Sequence, residues 1–195
     1  MNTAFHNKAV EHVAHRGEEV ARTALAARAG TPPELLFFLA NDPAPAVRVA
    51  VAANAGTPPL ADRLLARDED VRVRRVLARK IASLAPGLDP DAQDRLRRQA
   101  WETLCLLVKD EAACVRAAVA EIVAEMHDVP RSLVVLLASD PSVDVAGPIL
   151  LLSPLLTEED LLALIAGQPA PATLAAIARR PSLTHRLSDA IAATA

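Results

Sequence analysis

Three acid–base pairs recur at one spacing along the chain. Asp42 and Arg48, Asp68 and Arg74, and Asp110 and Arg116 each stand six residues apart. A planar guanidinium holds a carboxylate or a carbonyl through forked hydrogen bonds. The pattern therefore reads as a structural ladder rather than as a ligand site. The densest cation cluster is of another kind. Arg72, Arg75 and Arg79 fall at i, i+3 and i+7, so they share one helix face, and with Arg74 and Lys80 they place five cations in residues 71–80 without an acid. Such a stripe suits an acidic partner helix, a phosphorylated peptide or a nucleic-acid backbone. The competing reading is a solvated face offset by Asp68, Glu69 and Asp70. Other reactive residue types are sparse. His6, His12 and His15 lack a metal-ligand pattern and are expected to be exposed. Cys105 and Cys114 are too few for a zinc or iron–sulfur set and are expected as two buried thiols. Trp101, beside Leu104 and Leu107, reads as packing. No Ser/His/Asp set, glycine-rich phosphate loop or HExxH motif stands out, and Glu158-Glu159-Asp160 suits the dipole of a helix's first turn. The expectation is no catalytic residue, no metal and no cofactor.

The elements that position these residues are written as a repeat. Thr31-Pro32-Pro33-Glu34-Leu35-Leu36 returns as Thr57-Pro58-Pro59-Leu60, and Leu39, Ala40, Asp42, Val47 and Arg48 return as Leu65, Ala66, Asp68, Val73 and Arg74, all offset by 26. The pattern resumes at Asp110, Val115 and Arg116, and again at Leu137, Asp140 and Val145. Self-similarity at a short fixed period predicts a solenoid whose units bury their apolar faces by stacking. Thr31 is expected to cap a helix with Pro32 at its first position and Glu34 completing a capping box. Second helices are expected at about 18–28, 45–53 and 70–84, the first closed by Gly30. A longer helix over about 90–108, with Asp89 as cap, reads as an insertion. The last helices are expected at about 158–166, 170–180 and from 183 onward, capped by Thr157 for the first and Ser182 for the last.

Register assigns the faces. Val47, Ala50 and Val51 align with Val73, Val76 and Leu77 and with Val115, Ala118 and Val119 as the core side. The opposite positions are Ala46, Val49 and Ala53, then Arg72, Arg75 and Arg79, then Cys114, Ala117 and Glu121. With so few cations outside the second copy, and an aromatic content of 2%, a nucleic-acid groove is the weaker alternative. A protein or peptide partner is the preferred one.

Composition agrees with this picture. Apolar residues make up 52% of 195, mostly small, and the formal net charge is −3. No run approaches the 18 or so apolar residues of a membrane span, and no signal peptide is expected at the start. The reading is one cytoplasmic repeat domain over residues 1–195, with the irregular insertion at about 86–109 and a C-terminal cap at about 157–195.

The unit that runs from Thr31-Pro32-Pro33-Glu34 through Val47-Arg48 resembles the HEAT-like and leucine-rich-repeat-variant class of bacterial α-solenoid. The stretches Asp144 to Leu150, Ser153 to Leu161 and Ala176 to Arg180 are similar to a family of uncharacterised alphaproteobacterial proteins. That second resemblance spans roughly residues 18–192 and is most specific in the C-terminal third. The resemblances imply an all-α right-handed superhelix of about five to six helical-hairpin units, and they bring no catalytic residues. The cysteine-rich iron–sulfur segment of founding leucine-rich-repeat-variant proteins is not implied, because this chain lacks those cysteines.

Overall fold

The computed structural model describes residues 12–15, 17–86 and 94–194. The regular structure among the described residues is helical, without a β-strand, and residues 12–15 are helical. Twelve further helices follow. They are α1 (Glu19–Ala27), α2 (Pro33–Leu39), α3 (Pro45–Ala53), α4 (Pro59–Leu65), α5 (Val71–Ser83), α6 (Arg95–Leu107), α7 (Ala113–Val123), α8 (Arg131–Ala138), α9 (Val143–Leu152), α10 (Glu158–Ala166), α11 (Pro171–Ala178) and α12 (His185–Thr194). None is long and apolar enough to cross a membrane. The chain divides into two compact units, Met1–Ile81 and Ala82–Ala195.

In the first unit α1 packs on α3, and α2 lies against both α3 and α4. Leu36, Leu39, Val47, Val51, Leu65, Val73 and Leu77 are fully enclosed there. In the second unit α7 packs on α9 and α9 on α11, while α8 fills in beside α7 and α9. Its core holds Leu104, Leu107, Val115, Val119, Leu137, Ile149 and Leu150. These helices are too short to persist alone in water, so packing of their apolar faces sustains them.

Helix starts depart from the sequence reading in an instructive way. Proline stands at the first position of α2, α3, α4 and α11, where its missing N–H costs nothing. In α2 that proline is Pro33 rather than Pro32, so Thr31 is one residue too far out to cap, and no capping box forms with Glu34. The buried Thr31 hydroxyl instead donates to the Leu25 carbonyl at 2.7 Å, and Thr57 donates to Val51 at 2.7 Å. Each threonine ties the end of one second helix to the start of the next first helix. Gly30 sits two residues beyond the last-turn cap Arg28, at φ 82°, a left-handed conformation that glycine adopts without a Cβ clash. Asp94 caps α6 by accepting from the Leu96 N–H at 2.9 Å, which moves that helix start from 90 to 95; Asp89 lies outside the described residues. At 13 residues α6 matches α5 rather than exceeding it. Thr157 and Asp160 form the reciprocal capping box of α10. For α12 the cap is Thr184, whose hydroxyl accepts from Leu187, rather than Ser182. His6, expected to be exposed, lies outside the described residues.

Candidate functional site: the second-helix face and the ladder beneath it

The spacing-six pairs make two different contacts. Within a pair, the arginine donates to the backbone carbonyl of its aspartate: Arg48 to Asp42 at 2.8 Å, Arg74 to Asp68 at 2.7 Å and Arg116 to Asp110 at 2.7 Å. The forked ion pair goes one copy further. Arg48 donates through Nε and Nη2 to the Asp68 carboxylate at 2.7 and 3.0 Å. Arg22 holds Asp42 in the same way at 2.6 and 2.9 Å, and Arg116 holds Asp140 at 2.7 and 3.0 Å. Each of these aspartates also accepts from the N–H two residues on, at 2.9 Å, as does Asp110. One carboxylate thus sets its own turn and receives the arginine of the preceding copy.

These carboxylates are shielded. Burial pushes the Asp42 carboxyl up, but the Arg22 fork and the Ala44 N–H outweigh it and hold the group below its ordinary range. Asp140 shows the same balance with Arg116 and the Ser142 N–H. The Arg48 guanidinium is raised by its hydrogen bonds to Asp68.

A second ladder runs at the other end of the second helices. The Asn54 amide donates to the Ala26 and Arg28 carbonyls at 2.7 and 3.0 Å, and its oxygen accepts from Gly56 at 2.8 Å. Lys80, which is Asn54 plus 26, donates to the Asn54 carbonyl at 3.2 Å and to Asp62 at 2.6 Å. In the second unit Arg180 reaches the Leu150 and Ser153 carbonyls at 2.5 and 2.9 Å. These donors reach carbonyls at the ends of preceding second helices, and two of those carbonyls, Arg28 and Asn54, also accept from the Thr31 and Thr57 N–H groups. Burial lowers the affinity of Arg180 for its proton. The sequence reading missed these clamps because Asn54, Lys80 and Arg180 share a position but not a residue type.

The five cations of α5 therefore separate. Arg74 is buried against the Asp68 and Glu69 carbonyls. Lys80 is turned into its pair with Asp62, with side chains 13% and 9% exposed. Arg72 is forked onto Asp70 at 2.6–3.2 Å, and that carboxyl is pulled down to about 2 by the Arg72 side chain and the Arg72 N–H. Arg72, Arg75 and Arg79 are all exposed on one face. On α3 the equivalent Ala46 and Ala53 are exposed and Val49 half-buried. In the second unit Glu121 and Cys114 are exposed, whereas Ala117 is buried against the expectation. The small Ala117 side chain continues the buried run Ala117–Ala120, which widens the packed face of α7.

Cys105 is half-buried and Cys114 exposed; both are free thiols, so only the first approaches the expected enclosure. Burial raises the Cys105 thiol. Trp101 is half-buried, on the helix that carries the enclosed Leu104 and Leu107. His12 and His15 are exposed, and the His15 ring tilts against Phe38 at 4.2 Å between centroids.

Among the described residues the fold is all-helical, and the ladder contacts recur with the sequence repeat. Residues 145–195 match the model of a family described as an uncharacterised protein conserved in bacteria, DUF2336. The match falls in the third where the sequence resemblance was most specific and does not extend over the expected 18–192. Searches of curated proteins and of solved structures returned no match.

Proposed function

We propose that this protein is a non-catalytic, cytoplasmic interaction scaffold, a HEAT-like α-solenoid that binds a protein or peptide over the outward face of its second helices. One observation carries the reading. The polar residues that recur from copy to copy are engaged in the two ladders, and the outward positions are where the copies differ: Ala46, Val49 and Ala53 on α3 against Arg72, Arg75 and Arg79 on α5. An apolar strip beside a cationic one suits an amphipathic acidic segment, because arginine combines charge with contact area at interfaces. Asp70 holds Arg72 in place before a partner arrives, which reduces the ordering cost of binding.

The alternative, a DNA-binding or repair solenoid, is less well supported. Arg74 and Lys80 are committed to the protein's own carbonyls and carboxylate, and Ala46, Val49 and Ala53 stand on α3 where a phosphate-tracking groove needs cations. Charge reversal at Arg72, Arg75 and Arg79 is expected to shift stability by no more than about 1 kcal/mol, since exposed ion pairs contribute little. The same change is expected to abolish capture of a specific protein from lysate. Unchanged capture contradicts the reading, and salt-sensitive binding of duplex DNA that the reversal removes favours the alternative.

A further inference from the structure

The pair α10 and α11 is a late copy of the first repeat. Thr31, Ala40, Pro43 and Pro45 return 126 residues later as Thr157, Ala166, Pro169 and Pro171. Register therefore sets α11 among the second helices, with α1, α3, α5, α7 and α9. One position can be followed through the series. Ala26 on α1, Ala120 on α7 and Leu150 on α9 are each 0% exposed. Each of those helices has a later second helix packed on it: α3 on α1, α9 on α7 and α11 on α9. On α11 the same position is Ala178, and it is exposed. Ala178 lines a cleft of about 740 Å³ that α11 shares with α12 and the turn after α10. Pro171, Leu174, Ala175 and Ala178 make the α11 wall, spaced along one helix face, and Ile191 stands on the α12 wall. Among the described residues this lining holds no charged side chain.

We infer that α11 of a second copy of the chain fills this cleft, across a two-fold axis that passes through the middle of the α11 wall. Register specifies a second helix as occupant, since a second helix lies on α1, α7 and α9, where the position is enclosed. The chemistry of the seams selects α11 as that helix. Forks tie Arg22 to Asp42, Arg48 to Asp68 and Arg116 to Asp140, each running to the next copy. At the arginine position α9 has Ala146 and α11 has Leu174, and Gln168 replaces the aspartate. So α11 docks on α9 without a fork, and an uncharged cleft accepts a helix of that kind. Its small Ala175 and Ala178 let a second helix approach closely. A wall without charge also meets its own image free of like-charge repulsion, as an isologous contact requires. Pairing encloses Leu174 and Ala178 in both copies and brings the two Ala175 side chains together at the axis.

Sedimentation equilibrium of the full chain, from micromolar to millimolar concentration, tests the pairing. The wild type is expected to dimerise. Ala178→Arg and Ala175→Arg, both at exposed positions, are each expected to raise the dissociation constant at least about tenfold with helicity retained. Cross-linking tests the axis. In a chain carrying Cys105→Ser and Cys114→Ser, Ala175→Cys is expected to give a disulfide-linked dimer on oxidation. Ala172→Cys, exposed on α11 but outside the cleft lining, is expected to give far less. A wild-type chain that stays monomeric, arginine variants that dimerise as before, or equal cross-linking at the two positions overturns the inference.

Discussion

Replacing Arg48 by alanine is expected to cost the first unit about 3–5 kcal/mol of stability, because it strands a shielded carboxylate. The Arg48 and Asp68 side chains are 8% and 6% exposed, and the guanidinium also satisfies the Asp42 carbonyl at 2.8 Å. Asp68→Asn is expected to cost less than Arg48→Ala, since the amide keeps an acceptor for Arg48 and the turn. Chemical denaturation of the two variants and the wild type measures the order. The acid response follows from the partners at 42 and 140. Their folded carboxyls titrate below the ordinary value, so the stability they contribute is complete above the unfolded value of about 4 and is lost as pH falls through the lower folded values.

The second large effect belongs to Asp62 and Lys80. Burial raises the Asp62 carboxyl and lowers the Lys80 ammonium, and in each case the partner opposes the shift without cancelling it. Both directions say that the charged pair is costly to enclose. A raised carboxyl favours folding below its unfolded value and loses that advantage as pH rises through the folded one. A lowered ammonium does the reverse, gaining as pH rises. Lys80→Met is therefore expected to cost about 3–5 kcal/mol at neutral pH by leaving Asp62 enclosed and unpaired. The deficit is expected to shrink on acidification, because the stranded carboxyl protonates readily. Asp62→Leu combined with Lys80→Met is expected to recover most of the loss, since an apolar pair avoids the desolvation cost. Denaturation of the three variants at neutral and acid pH checks both the size and the sign.

Periodicity made the helices legible because the 26-residue offset carries leucines, valines and prolines together. Val47, Val51, Val73 and Leu77 were assignable to a core by register alone, and they are fully enclosed. The ladder was half legible. Spacing shows Asp42 near Arg48, but the carboxylate belongs to Arg22, because the fork reaches across copies. The arithmetic was available, since 26 less 6 gives the 20 residues between Arg48 and Asp68. Thr31 was misread because either proline of Pro32-Pro33 can open a helix, and one residue of difference turns a cap into a tie to Leu25. The C-terminal clamps were illegible for a different reason. Carbonyl acceptors have no sequence signature, and Asn54, Lys80 and Arg180 reach them with unlike side chains. Helical spacing already set Arg72, Arg75 and Arg79 on one face and Arg74 in the ladder, and geometry was needed to show Lys80 turned onto Asp62.

The central claim is that the recurring residues build the protein while the differences between copies recognise a partner. Giving α5 the outward residues of α3, as Arg72→Ala, Arg75→Val and Arg79→Ala together, tests it with one chain. Melting and partner capture are measured on the same preparation. The account predicts a midpoint close to the wild type, because exposed positions contribute little to stability, together with loss of the captured partner. A variant that unfolds, or one that captures the same partner as before, contradicts it.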